Sequence, residues 1–554
     1  MSAPAAIVPA TSLHPIHASP SSHIPRRYLH LLQLCRRTTE YSQAHATFTK
    51  LGFALNANPS TYNSIIRGYA TFGSPDLAIS LFRHVLLEGF ASPNSMTFPS
   101  ILKACSAISA SFEARQIHSQ IIKRDLQTDR YTQNALINVY VRIGSLSDSL
   151  LVFDRMSQRD VVSWNTVLAG MADAGFVGEA REIFDEMPER DVVSWSCLID
   201  GYVKHGLLEI ARQLFDICPL KNGITWNIVI GGYAVASRIE EARDLFNQMP
   251  PDMKDLTTFN LIIDICMKSS RFEEVLNLFN QILRSKIKPS NFTLVAALTS
   301  CSRIAALEQA EWIHDYIKKH YIKLDAVLGT ALLDMYSKCG SMDRALHVFY
   351  EMQEKDICSW NSVISNLAIH GRGKEAQYFF SKLLETSTSP DNVTFLSVLS
   401  ACRHSGLVEE GRRFFNLMNN LYKFKPTLQH LGCMVDLLCR AGLLNEAKEL
   451  IELNKGMDFS VPMWGALLEA SARLGNISMG EYAAKHLIEL DQHDTRCYVS
   501  LSNLYSREGM WEDAARIRKL MSICGMEKVP GCSSVEVGSV VNEFSVGRGL
   551  NSID

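Results

Sequence analysis

Polar side chains able to form base-like hydrogen bonds recur in this sequence at fixed spacing, each directly after an aromatic. Asn165, Ser196 and Asn227 follow Trp164, Trp195 and Trp226, which stand 31 residues apart. An asparagine amide offers a donor and an acceptor together, and a serine offers a small hydroxyl; these are recognition groups rather than bond-breaking ones. The residue types that metal catalysis needs are present but scattered. Fourteen cysteines run singly from Cys35 to Cys532, with no C-x-x-C pair, and none of the sixteen histidines opens an H-x-E. Zinc sites of the finger, ribbon or nucleoside-deaminase kind therefore have no visible ligand set. Cys105, Cys266, Cys301 and Cys402 fall at apolar helical positions, which predicts small buried hydrophobes in a reducing compartment. The GRGKE stretch at 371–375 lacks the Ser/Thr and the strand context of a phosphate loop.

The elements that would position the recurring polar residues are legible from the surrounding text. VVSWNTVLAG at 161, VVSWSCLIDG at 192, GITWNIVIGG at 223 and ICSWNSVISN at 357 are copies of one segment. Counting the residue after the aromatic as the fifth, the register runs Asn63, Pro99, Asn134, Asn165, Ser196, Asn227, Asn260, Val295, Thr330, Asn361, Leu396 and Gly432. The intervals are 36, 35, 31, 31, 31, 33, 35, 35, 31, 35 and 36, which makes twelve units in unbroken series over 59–460. Within 161–191, Val167, Leu168 and Met171 recur at helical spacing. Gly175 suits a left-handed cap. Ala180, Ile183, Phe184 and Met187 mark a second helix, and Pro188 and Asp191 close the unit. Two short helices cannot bury both faces alone, whereas stacked neighbours can. The predicted fold is all-α: a right-handed superhelical solenoid of helix-turn-helix repeats with the first helix of each pair on the concave side.

Bulk properties narrow the partners. The chain has 554 residues, 47% of them hydrophobic, with a formal net charge of −3. That balance argues against an indiscriminate phosphate binder and leaves room for a locally positive groove. No apolar run reaches the roughly 18 residues of a membrane span. Residues 1–39 contain no Asp or Glu and are rich in Ser, Ala, Pro and His, with Arg26, Arg27, Arg36 and Arg37. Such a start reads as an organelle transit peptide over 1–26. The sequons at Asn291, Asn392 and Asn476 carry no meaning without a secretory signal.

Tetratricopeptide repeats keep a uniform period of about 34 residues, and this array does not. It resembles the pentatricopeptide repeat family of land-plant organelles, through TYNSIIRGYA at 61, VVSWNTVLAG at 161, TFNLIIDICMKSS at 258 and ALLDMYSKCGSMDRALHVFYEM at 331. Residues 95–129 and 291–325 resemble the family's long form. Residues 130–160, 161–191, 192–222 and 326–356 resemble the short form, and 59–94, 256–290 and 357–391 the standard form. Residues 27–58 look like a degenerate unit. The last repeats, 392–427 and 428–460, and the E-type extension over 461–546 are similar to the editing-factor subclass, with a tail over 547–554. SSVEV at 533–537 departs from the SWIEV more usual in that extension.

The resemblance implies single-stranded RNA binding at one nucleotide per repeat. It assigns base reading to the fifth residue of a unit together with its last. Asn134 with Asp160, Asn165 with Asp191, Asn227 with Asp255 and Asn361 with Asp391 each imply U. Asn63 with Asn94 implies a pyrimidine, C favoured, and Asn260 with Ser290 implies C. Ser196 with Asn222 implies A, and Thr330 with Asp356 implies G. Pro99, Val295 and Leu396 lack coding side chains, and Gly432 leaves its base open. The implied core is 5′-Y-N-U-U-A-U-C-N-G-U-N-N, a few nucleotides before an edited cytidine. Val162, Val193, Ile224 and Val327, at the second position, would sandwich bases between neighbours. Arg142, Lys204, Lys268, Lys338 and Arg440 share one helix position from which cations could reach phosphates.

The resemblance also implies a division of labour. Deamination of cytidine needs zinc and a Glu acid-base, which the family keeps in a C-terminal domain ending Asp-Tyr-Trp. This sequence shows neither its ligands nor that tripeptide. The expectation is therefore a non-enzyme without cofactor, metal, membrane contact or small-molecule substrate. It would specify a site for C-to-U editing and recruit a DYW-type deaminase and accessory editing factors in trans through 461–546. The expected location is an organelle, the mitochondrion slightly ahead of the chloroplast. Intron splicing or transcript stabilisation, and a peptide-binding scaffold of the tetratricopeptide kind, are the competing functions.

Overall fold

The computed structural model describes residues 59–71, 74–88, 92–454, 461–491 and 495–523, and the strand residues 532–537, 540–545 and 548–552. The transit segment and the degenerate unit expected over 1–58 lie outside these residues. The described chain holds 28 α-helices, from α1 (Pro59–Thr71) to α28 (Trp511–Ile523). Odd-numbered helices open each unit and even-numbered helices close it. None is long and apolar enough to cross a membrane. The chain divides into two compact units, residues 1–265 and 266–554.

The opening helices are nearly constant in length. α7 (Val161–Asp173), α9 (Val192–Lys204), α11 (Gly223–Val235) and α17 (Ala326–Lys338) all have 13 residues. The closing helices vary. In the short units, α8 (Val177–Glu186) and α10 (Leu208–Ile217) have 10 residues. In the longer ones, α4 (Ser111–Lys123) and α16 (Leu307–Lys319) have 13. The uneven period is thus close to one added helical turn of about 3.6 residues on the closing helix.

Many opening helices are started by a side-chain cap and stopped by a left-handed turn. The Asp191 carboxylate accepts from the Ser194 N–H, and the Ser194 hydroxyl returns a bond to the Asp191 N–H, a reciprocal capping box. Gly175 takes φ +91° between α7 and α8, as its position predicts. Where the corresponding residue is not glycine, Ser237 and Ala305 adopt the same left-handed turn at φ 59° and 55°, a conformation that disfavours a Cβ.

From α1 to α11 each opening helix packs on the opening helices before and after it. The same continuous layer runs from α15 (Asn291–Ile304) to α27 (Thr495–Arg507) in the second unit. Within each compact unit the closing helices generally pack on their own opening helix and on the next one. At that second junction an aromatic pair repeats: Phe153 meets Trp164 at 4.8 Å, Phe184 meets Trp195 at 4.8 Å and Phe215 meets Trp226 at 4.7 Å, all edge to face. The aromatic that marks the repeat in the sequence is therefore its inter-unit bolt. Cys105, Cys266, Cys301 and Cys402 are buried, as predicted. Burial pushes the thiols of Cys105, Cys301 and Cys402 up to about 12, which keeps them protonated and inert.

The repeats are all-α, and the C-terminal end adds three strands. β1 (Cys532–Val537) pairs antiparallel with β2 (Val540–Ser545), and β2 pairs with β3 (Arg548–Ser552). The divergent SSVEV segment lies in β1, and the stretch expected as a tail contains β3.

Candidate nucleic-acid interface

The fifth residue of an opening helix sits one turn from its start, beside the inter-unit aromatic. The last residue of the unit caps the next opening helix. Stacking the two helices brings these residues together. Asn165 Nδ2 donates to Asp191 Oδ1 at 3.0 Å, Asn134 Nδ2 to Asp160 Oδ1 at 3.2 Å, and Asn361 Nδ2 to Asp391 Oδ1 at 3.0 Å. Asn63 Nδ2 donates to Asn94 Oδ1 at 3.0 Å. Asn227 lies close enough to Asp255 to help hold its carboxyl down. The Asn227 Oδ1 is buried without a partner, in the irregular unit that carries the extra turn Pro251–Met253.

A third residue completes each pair. The hydroxyl at the third position of the next helix stands between amide and carboxylate. Ser194 Oγ lies 2.7 Å from Asn165 Oδ1 and 2.9 Å from Asp191 Oδ1, so its single hydrogen is shared between two acceptors. Ser163 and Thr394 repeat this geometry on Asn134 and Asn361, and Thr97 on Asn63. The same hydroxyl carries the weaker pairs. Ser196 Oγ meets Thr225 Oγ1 at 3.0 Å, and Thr225 reaches Asn222 at 2.8 Å. Thr330 Oγ1 meets Ser359 Oγ at 2.9 Å, and Ser359 reaches Asp356 at 2.8 Å. Asn260 lies on α13 (Leu256–Lys268) and Ser290 caps α15, in different compact units.

These bonds fix the charge at the site. Burial alone would raise the Asp191 carboxyl. The Ser194 N–H, the Asn165 amide and the Ser194 hydroxyl outweigh it and hold Asp191 below the usual range. Asp160, Asp255 and Asp391 are lowered by the same balance. Each is an ionised acceptor at neutral pH. One carboxylate oxygen accepts from the amide, and an Asn amide keeps a second N–H to donate.

The second-position residues flank these pairs. Val162, Val193, Ile224 and Val327 are 59%, 53%, 64% and 61% exposed, although they sit on helices whose other apolar residues are largely buried. A groove of about 590 Å³ in the first unit is lined by Val162 and Val193 together with Asn165 and Asp191. Two apolar walls thus stand either side of a donor–acceptor pair. Met96, Tyr131, Phe292 and Val393 occupy the same second position and are also exposed.

Two features were not read from the sequence. The third-position hydroxyls were passed over, though D-x-x-[ST] spacing signals them. The four extra second-position residues follow from the same register. The shared cation position holds less well. Lys204 is engaged at 2.7 Å by Asp173 and at 2.7 Å by Asp200, and Arg440 Nε donates to both oxygens of Asp436. Arg142 and Lys338 are exposed, and Arg142 lines the groove beside Asn165. Among the described residues no group of three or more His, Cys, Asp or Glu side chains could hold a metal ion.

Comparison with known proteins agrees with the register. A pentatricopeptide repeat model matches ten segments, from 60–90 to 430–453, and an E motif model matches 475–536. The units expected as the long form at 95–129 and 291–325 fall between matched segments, yet α3 (Thr97–Ala107) with α4, and α15 with α16, form the same helix pair. A pentatricopeptide repeat-containing protein of Arabidopsis thaliana is 47% identical, over 87% of this chain and 81% of the relative. Another from that plant, named as chloroplastic, is 39% identical over 92% of this chain and 79% of its own. The crystal structure of the pentatricopeptide repeat protein PPR10 in complex with an 18-nucleotide psaJ RNA element superposes with a TM-score of 0.54 at 18% identity, covering 90% of this chain and 79% of that one. By sequence and by fold, this chain belongs to the pentatricopeptide repeat family and carries that family's E motif next to its last repeats.

Proposed function

We propose that this protein binds single-stranded RNA in an organelle and marks a cytidine there for conversion to uridine, with a deaminase supplied by another chain. The observation that carries the RNA reading is the groove at Asn165. Its exposed valines line the same groove as the pair, which presents an N–H beside an ionised acceptor. Uracil's edge offers the complement, an N–H next to a carbonyl, which supports U at Asn134/Asp160, Asn165/Asp191, Asn227/Asp255 and Asn361/Asp391. Hydroxyls at Ser196 and Thr330 leave more room, which supports purines there. The likeness to an RNA-bound structure supports the same reading at the level of fold. The editing role rests on the E motif and on the resemblance to the editing-factor subclass.

Two experiments test this. Gel-shift titration should show tighter binding of 5′-Y-N-U-U-A-U-C-N-G-U-N-N than of the same RNA with the bases opposite Ser196 and Thr330 exchanged. Equal binding sinks the base-reading claim. In a loss-of-function line, organellar transcript sequencing should show one cytidine left unedited with introns spliced normally. Unspliced introns with editing intact would replace the editing role by a splicing one.

A further inference from the structure

The unit at 428–460 lacks a coding side chain, because Gly432 holds its fifth position. Yet a groove of about 600 Å³ opens there, between α21 (Asn392–Ser405), α23 (Leu428–Arg440) and α25 (Val461–Leu474). It has the construction of the Asn165 groove: three consecutive opening helices, with the second-position residues Gln429 and Pro462 in the places of Val162 and Val193. The wall that elsewhere carries the amide is bare backbone. The polar groups lie deeper, on the turns that follow: Ser400, Arg403 and Asp436.

Arg403 is the informative one. Its Nε is buried and makes no hydrogen bond, with Asp436 Oδ2 at 3.8 Å, beyond hydrogen-bond reach. Asp436 is thus an ion-pair partner of Arg403 but is hydrogen-bonded by Arg440 at 3.0 Å, and the Arg403 Nη2 lies 2.8 Å from His404 Nε2, which leaves Nε as the N–H without an acceptor. A buried guanidinium N–H without an acceptor is costly unless a ligand provides one. A pyrimidine held between Gln429 and Pro462 presents its polar edge toward the missing fifth side chain, where nothing answers it. A purine is longer, and its N7 is an acceptor of the kind that arginine commonly takes. We infer that the Gly432 groove is a purine-selective nucleotide site in which Arg403, rather than the fifth residue, reads the base. This rests on the RNA-binding reading above and extends it to a position where the usual residue pair is absent.

The test uses the full chain and RNAs that keep the proposed core and vary only the base opposite Gly432. Purines should bind about tenfold more tightly than pyrimidines, the scale of one hydrogen bond to a charged donor. 7-Deazapurines should bind like pyrimidines. Arg403→Gln should abolish the purine preference while leaving discrimination opposite Thr330 intact, which also shows that the compact unit holding both residues is folded. Gly432→Asn should shift the preference toward pyrimidines. A Cβ there would meet Met463 Cε at 3.2 Å, the movable end of a flexible side chain. Equal binding of all four bases overturns the inference, as does an Arg403→Gln variant that weakens all four equally, since that marks a phosphate contact. Loss of discrimination opposite Ser196 and Thr330 in the unaltered protein would instead remove the RNA reading itself.

Discussion

Each residue pair proposed to read a base is also a structural joint. Asp191 caps α9, accepts from Asn165 of the preceding unit and shares the Ser194 hydroxyl. Removing it has two consequences at once. Asp191→Ala should cost about 1 kcal/mol of stability through the lost cap, read by chemical denaturation, and should also relax base choice at that unit. Ser194→Ala isolates the third residue, which touches no base in this scheme. It should weaken the preference for U opposite Asn165 several-fold, with a stability loss of about 1 kcal/mol. Unchanged base preference would show that the hydroxyl is only a cap. Asp160, Asp191, Asp255 and Asp391 all have folded-state carboxyls lowered below their unfolded values. Their contribution is therefore present above the unfolded carboxylate range and is lost as pH falls through the folded values. Denaturant midpoints should drop as pH falls below about 4, and less steeply in an Asp160→Asn, Asp191→Asn double variant. The carboxylates were named in the sequence as last residues. The D-x-x-[ST] spacing marks the hydroxyls between them as cap partners, but that they also reach the amide of the preceding unit shows only once two helices are stacked.

At the scale of the element, the constant part of the repeat is the opening helix and the variable part is its partner. Close packing of opening helices explains some small residues in them. A Cβ on Gly201 would lie 2.6 Å from Ala172 Cβ and 3.3 Å from its Cα. Gly178, on α8, has nothing within 4 Å of such a Cβ. Gly201→Ala should therefore lower stability by about 1–3 kcal/mol through overpacking, while Gly178→Ala should leave it unchanged or slightly higher. Thermal melts of the two variants side by side make the comparison, and equal melting would mean that the layer yields freely. A close approach between helices leaves no trace in the spacing of one helix, so the sequence does not tell the two glycines apart.

At the scale of the whole molecule, the array and the E motif region are read as separate tasks. A chain ending at residue 491, which keeps α25 and with it the Gly432 groove, should keep its RNA affinity within about threefold and fail to restore editing in a loss-of-function line. Loss of RNA binding in that truncation would place part of the RNA site in the C-terminal region. The sequence by itself determined the fold class, the register, the Asp, Asn, Ser or Thr that closes each unit and the family, because a repeat multiplies a weak local signal until its period is unmistakable. It also located the two long-form units at 95–129 and 291–325, which the family model's matched segments leave out. Only the tertiary structure decided which fifth residues touch their partners directly and which work through a hydroxyl. It alone showed that Lys204 and Arg440 are already ion-paired and that Gly432 borders a groove rather than a gap. The reason is physical. Periodicity fixes where a residue sits along its own helix, whereas hydrogen bonds, ion pairs and grooves between units depend on side chains some thirty residues apart in the chain, brought within reach only when helices stack.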